Sequence, residues 1–477
     1  MGSRYNLPME NTPPTSRRAI LKSLVGLGVA ATGLSSCRTT ATSNNSGPAG
    51  LHGSKSGAQY MGGFAAKPLE RIRMGFIGTG ARGIGHVAQM LMMEGVDVVA
   101  VCDNYAPAAA AAAKRCEKAG RPLPAVYDAG DQDYIRMLEE VPMDAVIVAT
   151  PWLWHAPMGI AVMQAGAHAF LEVPLATTTE DLWKLVDTSE TTGRHCMMME
   201  NVCYGREELM FLNMVRLGVI GEVTHGEGAY IHDLRHQMRE VERGEGTWRL
   251  DHHVKRDGNL YPTHGLGPIA QMMGCERGLD RFERVVSFSS PAFGRQLQAE
   301  RDWPADHPRN QQKYICGDMN TSLIKTHRGR TIMVQHDVTS PRPYDRLNLI
   351  SGTKGILAGF PTRVALDPDG KGAHGWTQGE NLEPIYEQYE HPLYGQVGEA
   401  ARKAGGHGGM DFIMLWRIAY CLRNGLPMDQ NLYEGAAWSA VSPLSEESNV
   451  TGGNPQLFPD FTRNRWETTA ELGVVKV

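Results

Sequence analysis

The chain has 477 residues, 42% hydrophobic and 21% charged, which is enough apolar material for a large core and more length than one typical domain needs, so two globular domains are expected. A net charge of -5 and a pI near 6.4 offer no basic field for nucleic acid, and the 7% aromatic share gives no unusual stacking surface. Nucleic acid is therefore not expected as a partner, and no stretch beyond Cys37 has the roughly 20 uninterrupted apolar residues needed to span a bilayer.

At the N-terminus, Ser16, Arg17, Arg18, Ala19, Ile20, Leu21 and Lys22 precede an apolar run through Val29 and Ala30. This pattern resembles a twin-arginine export signal, and Leu34-Ser35-Ser36-Cys37 at its end resembles a lipobox, whose cysteine is acylated and becomes the new N-terminus. Residues 1–37 are read as that signal, with lipidation at Cys37, and residues 38–66, rich in Ser, Thr, Asn and Gly, as a flexible spacer. The expected location is the periplasm, or the cell envelope with a lipid anchor at Cys37 as the one membrane contact. The other cysteines, at 102, 116, 196, 203, 275, 316 and 421, show no CxxC or zinc-type spacing, so no metal is expected. Folding in a reducing cytoplasm before export is compatible with free, buried thiols.

From Arg71 onward, short apolar runs alternate with helical stretches. The runs Met74 to Ile77, Val96 to Cys102, Asp144 to Ala149, His168 to Glu172 and His195 to Met199 predict strands of a doubly wound parallel sheet. Residues 67–205 are assigned to this Rossmann-type domain. A helix over Glu207 to Leu217 is followed, from Gly221, by more strand-like alternation, including Thr331 to Val338 and Arg346 to Ile350. Residues 206–477 are read as a second, α+β domain on a largely antiparallel open sheet that carries the substrate site. Met410 to Leu422 and Glu434 to Leu444 predict helices that pack back on the rest, and the open sheet face is suited to homo-oligomer formation.

The run Arg73 to Ile77 leads directly into Gly78, Thr79, Gly80, Ala81, Arg82 and Gly83, and Ile84 to Met92 can form the next helix. That context gives the GxGxxG spacing its meaning as a dinucleotide turn. Gly78 allows the tight turn, Gly80 a close approach to pyrophosphate and Gly83 close helix packing, with Arg82 expected to meet the pyrophosphate. Asp103, 20 residues beyond Gly83 at a strand end, can accept from ribose hydroxyls and would repel a 2′-phosphate. NAD is the expected cofactor.

Two further strand ends fall on the same carboxyl edge of the sheet: Thr150-Pro151-Trp152-Leu153-Trp154-His155 and Leu171-Glu172-Val173-Pro174. Here the chain resembles the glucose-fructose oxidoreductase and inositol dehydrogenase superfamily, in which Glu-Lys-Pro stands at the position of Glu172-Val173-Pro174. That lysine commonly assists proton transfer from the oxidised hydroxyl, so Val173 argues against an ordinary sugar dehydrogenase. Trp152 to His155, Glu172 to Pro174, Asn201-Val202-Cys203-Tyr204, Tyr230 to Arg235, Tyr261-Pro262-Thr263-His264-Gly265 and Gly406 to Asp411 together resemble glycoside hydrolase family 109, the NAD-dependent α-N-acetylgalactosaminidases. The resemblance runs from about residue 70 to the C-terminus.

What the resemblance implies is a glycosidase acting on glycans with terminal GalNAc. Hydride leaves C3 of the sugar for bound NAD, a base takes the C2 proton, the anomeric oxygen is eliminated, water adds, and the hydride returns. Tyr261 and His264 are implied for proton transfer around C2 and C3. Tyr230, His232, Arg249, Pro262, Thr263 and Tyr344 are implied as substrate contacts. On a strand, Tyr230 and His232 would point to one face. Gly78, Gly80, Ala81, Arg82, Gly83, Asp103, Trp152, Leu153, Trp154, His155, Glu172, Val173 and Asn201 are expected around the cofactor. Two alternatives stay open from the sequence: an exported NAD-dependent sugar dehydrogenase with other acid and base groups, and a non-catalytic sugar- or NAD-binding protein.

Overall fold

A computed structural model describes residues 58–475. The signal, Cys37 and most of the expected spacer lie outside the described residues. Residues 58–66 pack against the body: Tyr60 stacks on Tyr433 with ring centres 4.9 Å apart, and Met61 is buried.

Eleven elements alternate from β1 (Ile72–Ile77) through β2 (Val96–Cys102), β3 (Ala125–Tyr127), β4 (Ala145–Val148) and β5 (His168–Leu171) to β6 (Cys196–Met198), each strand but the last followed by a helix. The strands are wholly parallel in the order β3-β2-β1-β4-β5-β6. Continuous apolar runs such as Ala145–Val148, buried at every position, are what helices on both faces require. The strand order reverses between β1 and β4, and the crevice at that switch point is where open α/β sheets take ligands. The expected strands match within a residue or two at each end.

The second sheet has nine strands: β7 (Val223–Ile231), β8 (Phe282–Ser289), β9 (Asn320–Thr326), β10 (Thr331–Asp337), β11 (Leu349–Gly352), β12 (Gly355–Ala358), β13 (Arg363–Leu366), β14 (Thr377–Gln378) and β15 (Gln456–Leu457). Their order is β14-β13-β12-β11-β7-β10-β9-β8-β15, antiparallel except for the β7–β10 pair. The expected strand at Arg346 begins only at Leu349, because Leu347 and Asn348 take left-handed backbone conformations at φ 58° and 46°. Such a pair breaks the pleat.

One face of this sheet is covered by the helix Thr263–Met273, which lies directly on β7. Two glycines make that approach possible: a Cβ on Gly228 would sit 2.3 Å from the Gly265 carbonyl oxygen, and one on Gly265 2.2 Å from the Ala229 nitrogen. The helix Met410–Asn424 packs on β1 and on the helix Gly83–Met90, while Leu432–Val450 packs on β8 and β6. The seven cysteines in the described residues are all free and buried.

Candidate active site

The first βα turn is tight for physical reasons. Gly78 has φ 84°, and a Cβ on Gly83 would stand 1.9 Å from the Gly78 carbonyl oxygen, so the helix Gly83–Met90 starts against the turn itself. A Cβ on Gly80 would meet nothing within 4 Å, which leaves that face of the turn open beside the helix N-terminus, as a pyrophosphate needs. Asp103 is buried and accepts from the Thr79 amide at 2.8 Å and the Tyr105 amide at 2.9 Å. A carboxylate offers about four acceptor positions, and the weakest contact here, from the Thr79 hydroxyl at 3.5 Å, is the one a ribose hydroxyl can replace. The turn, the helix end and this carboxylate fit the adenosine and pyrophosphate parts of NAD.

The turn opens into a cavity of about 750 Å³, at the large end of cofactor and ligand sites. Its walls carry Gly78, Gly80, Ala81, Asp103, Trp152 and Trp154 from the first domain and Tyr230, His232, Arg249, Tyr261 and His264 from the second. His155, Glu172, Val173 and Asn201 also reach it. Leu153 does not, being 67% exposed on the outer side of its helix. Pro262 and Thr263 are buried at the start of the helix Thr263–Met273 and place Tyr261 and His264 rather than facing the cavity.

Arg82, expected at the pyrophosphate, lines the same cavity and is also paired with two carboxylates. Its Nε donates to Glu172 Oε1 at 2.6 Å, and its Nη1 and Nη2 donate to Asp411 at 2.7 and 2.9 Å. The same two carboxylates take His86 Nε2 at 2.6 Å and Asn201 Nδ2 at 2.7 Å, and His407 Nδ1 lies 2.8 Å from Asp411. Burial alone would raise both carboxyls, yet the Arg82 charge with the His86 and His407 contacts holds Glu172 and Asp411 well below the usual range. Glu172 and Asn201 are thus anchored behind the cofactor surface. His155 is similarly fixed, its ring nitrogens 2.6 Å from the Pro174 oxygen and 2.8 Å from the Thr150 oxygen, so it ties together two strand-end loops.

At the other end of the cavity, aromatic rings and imidazoles converge. Tyr230 lies 4.6 Å from Tyr261 and 5.2 Å from His264 between ring centres, and Tyr261 and His264 are 4.8 Å apart. The Tyr230 hydroxyl and His232 Nδ1 are 3.1 Å apart, although His232 lies just past the end of β7 and not on the strand itself. The Arg249 guanidinium sits 5.2, 5.4 and 5.3 Å from the ring centres of Trp152, Trp248 and Tyr261, and Glu245 accepts from it at 2.9 Å. Tyr344 stands beside His232, rings 5.0 Å apart, and accepts from Arg346 at 2.9 Å.

Burial pushes the Tyr230 phenol up to about 12 and Tyr261 well above its ordinary value, against the opposing Arg249 charge. Burial, with Arg249 adding to it, lowers His232. Near neutral pH the cluster therefore holds phenols that donate and an imidazole that accepts. No local signal in the sequence marks Glu200, Arg243 or Trp248 for the site, and Asp411 stands there only as the end of the Gly406-to-Asp411 motif. Glu200 Oε1 lies 2.7 Å from His264 Nδ1, a pairing across separate elements that no local spacing announces. His407 carried a signal in its Gly406-His407-Gly408-Gly409 context but was not placed in the site.

Fold and site define an enzyme-like pair of domains: a Rossmann sheet whose first βα turn opens into one cavity with a cluster of buried tyrosines and the histidines beside them. Residues 72–200 match the family described as Oxidoreductase family, NAD-binding Rossmann fold, and residues 204–468 match Glycosyl hydrolase 109, C-terminal domain. The chain belongs to glycoside hydrolase family 109. It is 58% identical over 424 residues to Glycosyl hydrolase family 109 protein 1 of Akkermansia muciniphila, covering 88% of each chain. It is 55% identical over 415 residues to a Shewanella oneidensis protein named Alpha-N-acetylgalactosaminidase, covering 87% of this chain and 90% of that one. Among solved structures, levoglucosan dehydrogenase in complex with NADH and L-sorbose shares the fold, with a TM-score of 0.62 at 19% identity, over 82% of this chain and 100% of that one. The chain is thus a member of a glycosidase family, with an NAD-binding Rossmann domain.

Proposed function

We propose that this protein is an NAD-dependent glycosidase that releases terminal α-linked N-acetylgalactosamine from glycoconjugates and ends each turnover with its cofactor restored. The observation that carries the reading is the cluster of Tyr230, Tyr261, His264 and Arg249 in one cavity with the dinucleotide turn, while Val173 stands where related dehydrogenases have lysine. The activity named for the Shewanella oneidensis relative supports the choice of sugar.

Gly78, Gly80, Ala81 and Asp103 would hold the pyrophosphate and ribose, with Trp152, Trp154, Val173 and Asn201 towards the nicotinamide. When bound, NAD supplies reversible hydride removal from sugar C3, which leaves the neighbouring C2 hydrogen acidic. The C3 hydroxyl proton released with the hydride passes to His232, which burial and Arg249 keep as an acceptor, and returns when the hydride does. Tyr261, kept a phenol by burial, donates to the C3 ketone oxygen. His264, beside Glu200, takes the C2 proton and passes it to the aglycone oxygen as the C1–O bond breaks; water then adds its hydroxyl at C1 and, through His264, its proton at C2. Tyr230, His232, Arg249 and Tyr344 orient the sugar.

Incubation with an aryl α-N-acetylgalactosaminide tests the reading: aglycone release without net NADH, and solvent deuterium entering C2, are the expected results. Stoichiometric NADH would instead identify a sugar dehydrogenase, and no release from any glycoside a binding protein. The reading includes export in folded form by the twin-arginine route, which carries NAD out of the cytoplasm, with Cys37 acylated at the envelope and homo-oligomers formed through the open sheet. Cell fractionation of the Cys37→Ser chain, which should lose membrane association, and sedimentation of the purified protein test these parts.

A further inference from the structure

At the adenosine end, the cleft is bridged. Arg243, in the loop before the helix Glu245–Lys255, reaches across from the second domain and donates from Nη2 to Asp103 Oδ1 at 2.9 Å and from Nη1 to Asn104 Oδ1 at 3.3 Å. Its guanidinium also lies 4.5 Å from the ring centre of Tyr105. One arginine thus docks on three consecutive residues at the end of β2.

The loop that carries Arg243 is shaped for this reach. Gly244 has φ 127°, a conformation side chains resist, and a Cβ there would strike the Glu240 carboxylate at 2.6 Å. Glu240 in turn accepts from the Gly246 amide at 2.6 Å, which fixes the start of the helix. Six residues beyond Arg243, on that helix, Arg249 is held among Trp152, Trp248 and Tyr261. The segment from Glu240 to Arg249 therefore spans the cavity from the ribose end to the sugar end, fastened at both.

We infer that Arg243 is a clasp that retains the dinucleotide through repeated turnovers. Of the roughly four acceptor positions on Asp103, the Tyr105 amide and Arg243 take those of Oδ1, and the Thr79 amide at 2.8 Å and the Thr79 hydroxyl at a long 3.5 Å take those of Oδ2. A ribose hydroxyl needs to replace only the long Thr79 hydroxyl contact and not Arg243, so the clasp stays closed over a bound nucleotide. Dissociation requires Arg243 to leave both Asp103 and the Tyr105 ring. A cofactor that is restored in place has no need to exchange, whereas an enzyme that consumes its cofactor would be slowed by such a closure. The inference rests on the NAD of the proposed function and not on its sugar.

The test is the rate at which bound NAD leaves the full chain, read by enzymatic assay of NAD in the filtrate after rapid desalting, with no glycoside present. The R243A and R243Q chains should release NAD about tenfold faster than the parent, from loss of an ion pair and a cation–π contact together. The melting temperature of their NAD-free forms should fall only slightly, as for a half-exposed ion pair; R243Q, which keeps the polarity of the side chain, serves as the reading if R243A does not fold. Release at the parent rate in R243Q would overturn the inference. So would variants that keep NAD equally well and lose only NADP binding, because that would make Arg243 a 2′-phosphate ligand. Either result would leave the glycosidase assay unaffected.

Discussion

Oε1 of Glu200 lies 2.7 Å from Nδ1 of His264, the carboxylate fully buried and the imidazole at the cavity wall. Glu200 comes from the turn after β6, where it also accepts from the Val202 amide at 3.4 Å, and His264 from the first turn of a helix in the second domain. The contact is a charge approach and not an aligned hydrogen bond; a buried carboxylate this near the inner nitrogen stabilises the positive charge the ring gains on taking a proton, and leaves Nε2 facing the chemistry.

The E200Q change keeps the shape and removes the charge. It should lower kcat on an aryl α-N-acetylgalactosaminide by about 10²-fold, within the range that acid–base groups contribute, while the amount of NAD bound stays at the parent level. Steady-state kinetics with a parallel NAD assay checks this, and an unchanged kcat would remove Glu200 from the mechanism.

Tyr261→Phe removes the phenol proton and little else, since the ring keeps its place beside Trp152 and Tyr230. We expect kcat to fall about 10²-fold or more with KM nearly constant. Exchange of the C2 hydrogen with deuterium oxide should slow in step, because the ketone is then less polarised.

Gly228→Ala tests whether the site depends on helix–strand contact. The added methyl group meets the Gly265 carbonyl carbon at 2.5 Å, so the helix bearing His264 must move off β7. A loss of about 1–3 kcal/mol in stability is expected by denaturant unfolding. A drop in kcat should accompany it as His264 and Tyr230 separate.

The Arg82 network sets an acid limit on the fold. Glu172 and Asp411 are held below their ordinary values of 4.5 and 3.8. Such depressed carboxyls contribute stability that is complete above those values and is lost as the pH falls below them towards the folded values. Melting temperature should therefore hold between pH 7 and 5 and fall steeply below about pH 4. Asp411→Ala should cost about 3 kcal/mol, the low end for stripping a buried ion pair, because Glu172 still neutralises Arg82. It should also flatten the acid part of the profile.

The sequence by itself determined the Rossmann sheet, the glycine turn and the Asp103 position, because these rest on short-range signals: apolar runs of strand length, turn glycines and a fixed spacing along one βαβ unit. It also brought out Tyr230, His232, Tyr261 and His264, through motifs whose members are close in the chain. Only the tertiary structure decided the partners. Arg82 looks like a phosphate ligand in its loop, and only the fold shows that Asp411, more than 300 residues later, pairs with it at the cavity wall. Leu153 sits among cofactor-side residues in sequence and points outward, because its helix presents only one face to the cleft. Glu200 and Arg243 show no local signal. Each acquires its role when the second domain is laid across the first, and which charges meet across that cleft depends on packing between distant elements, which no periodicity in the chain records.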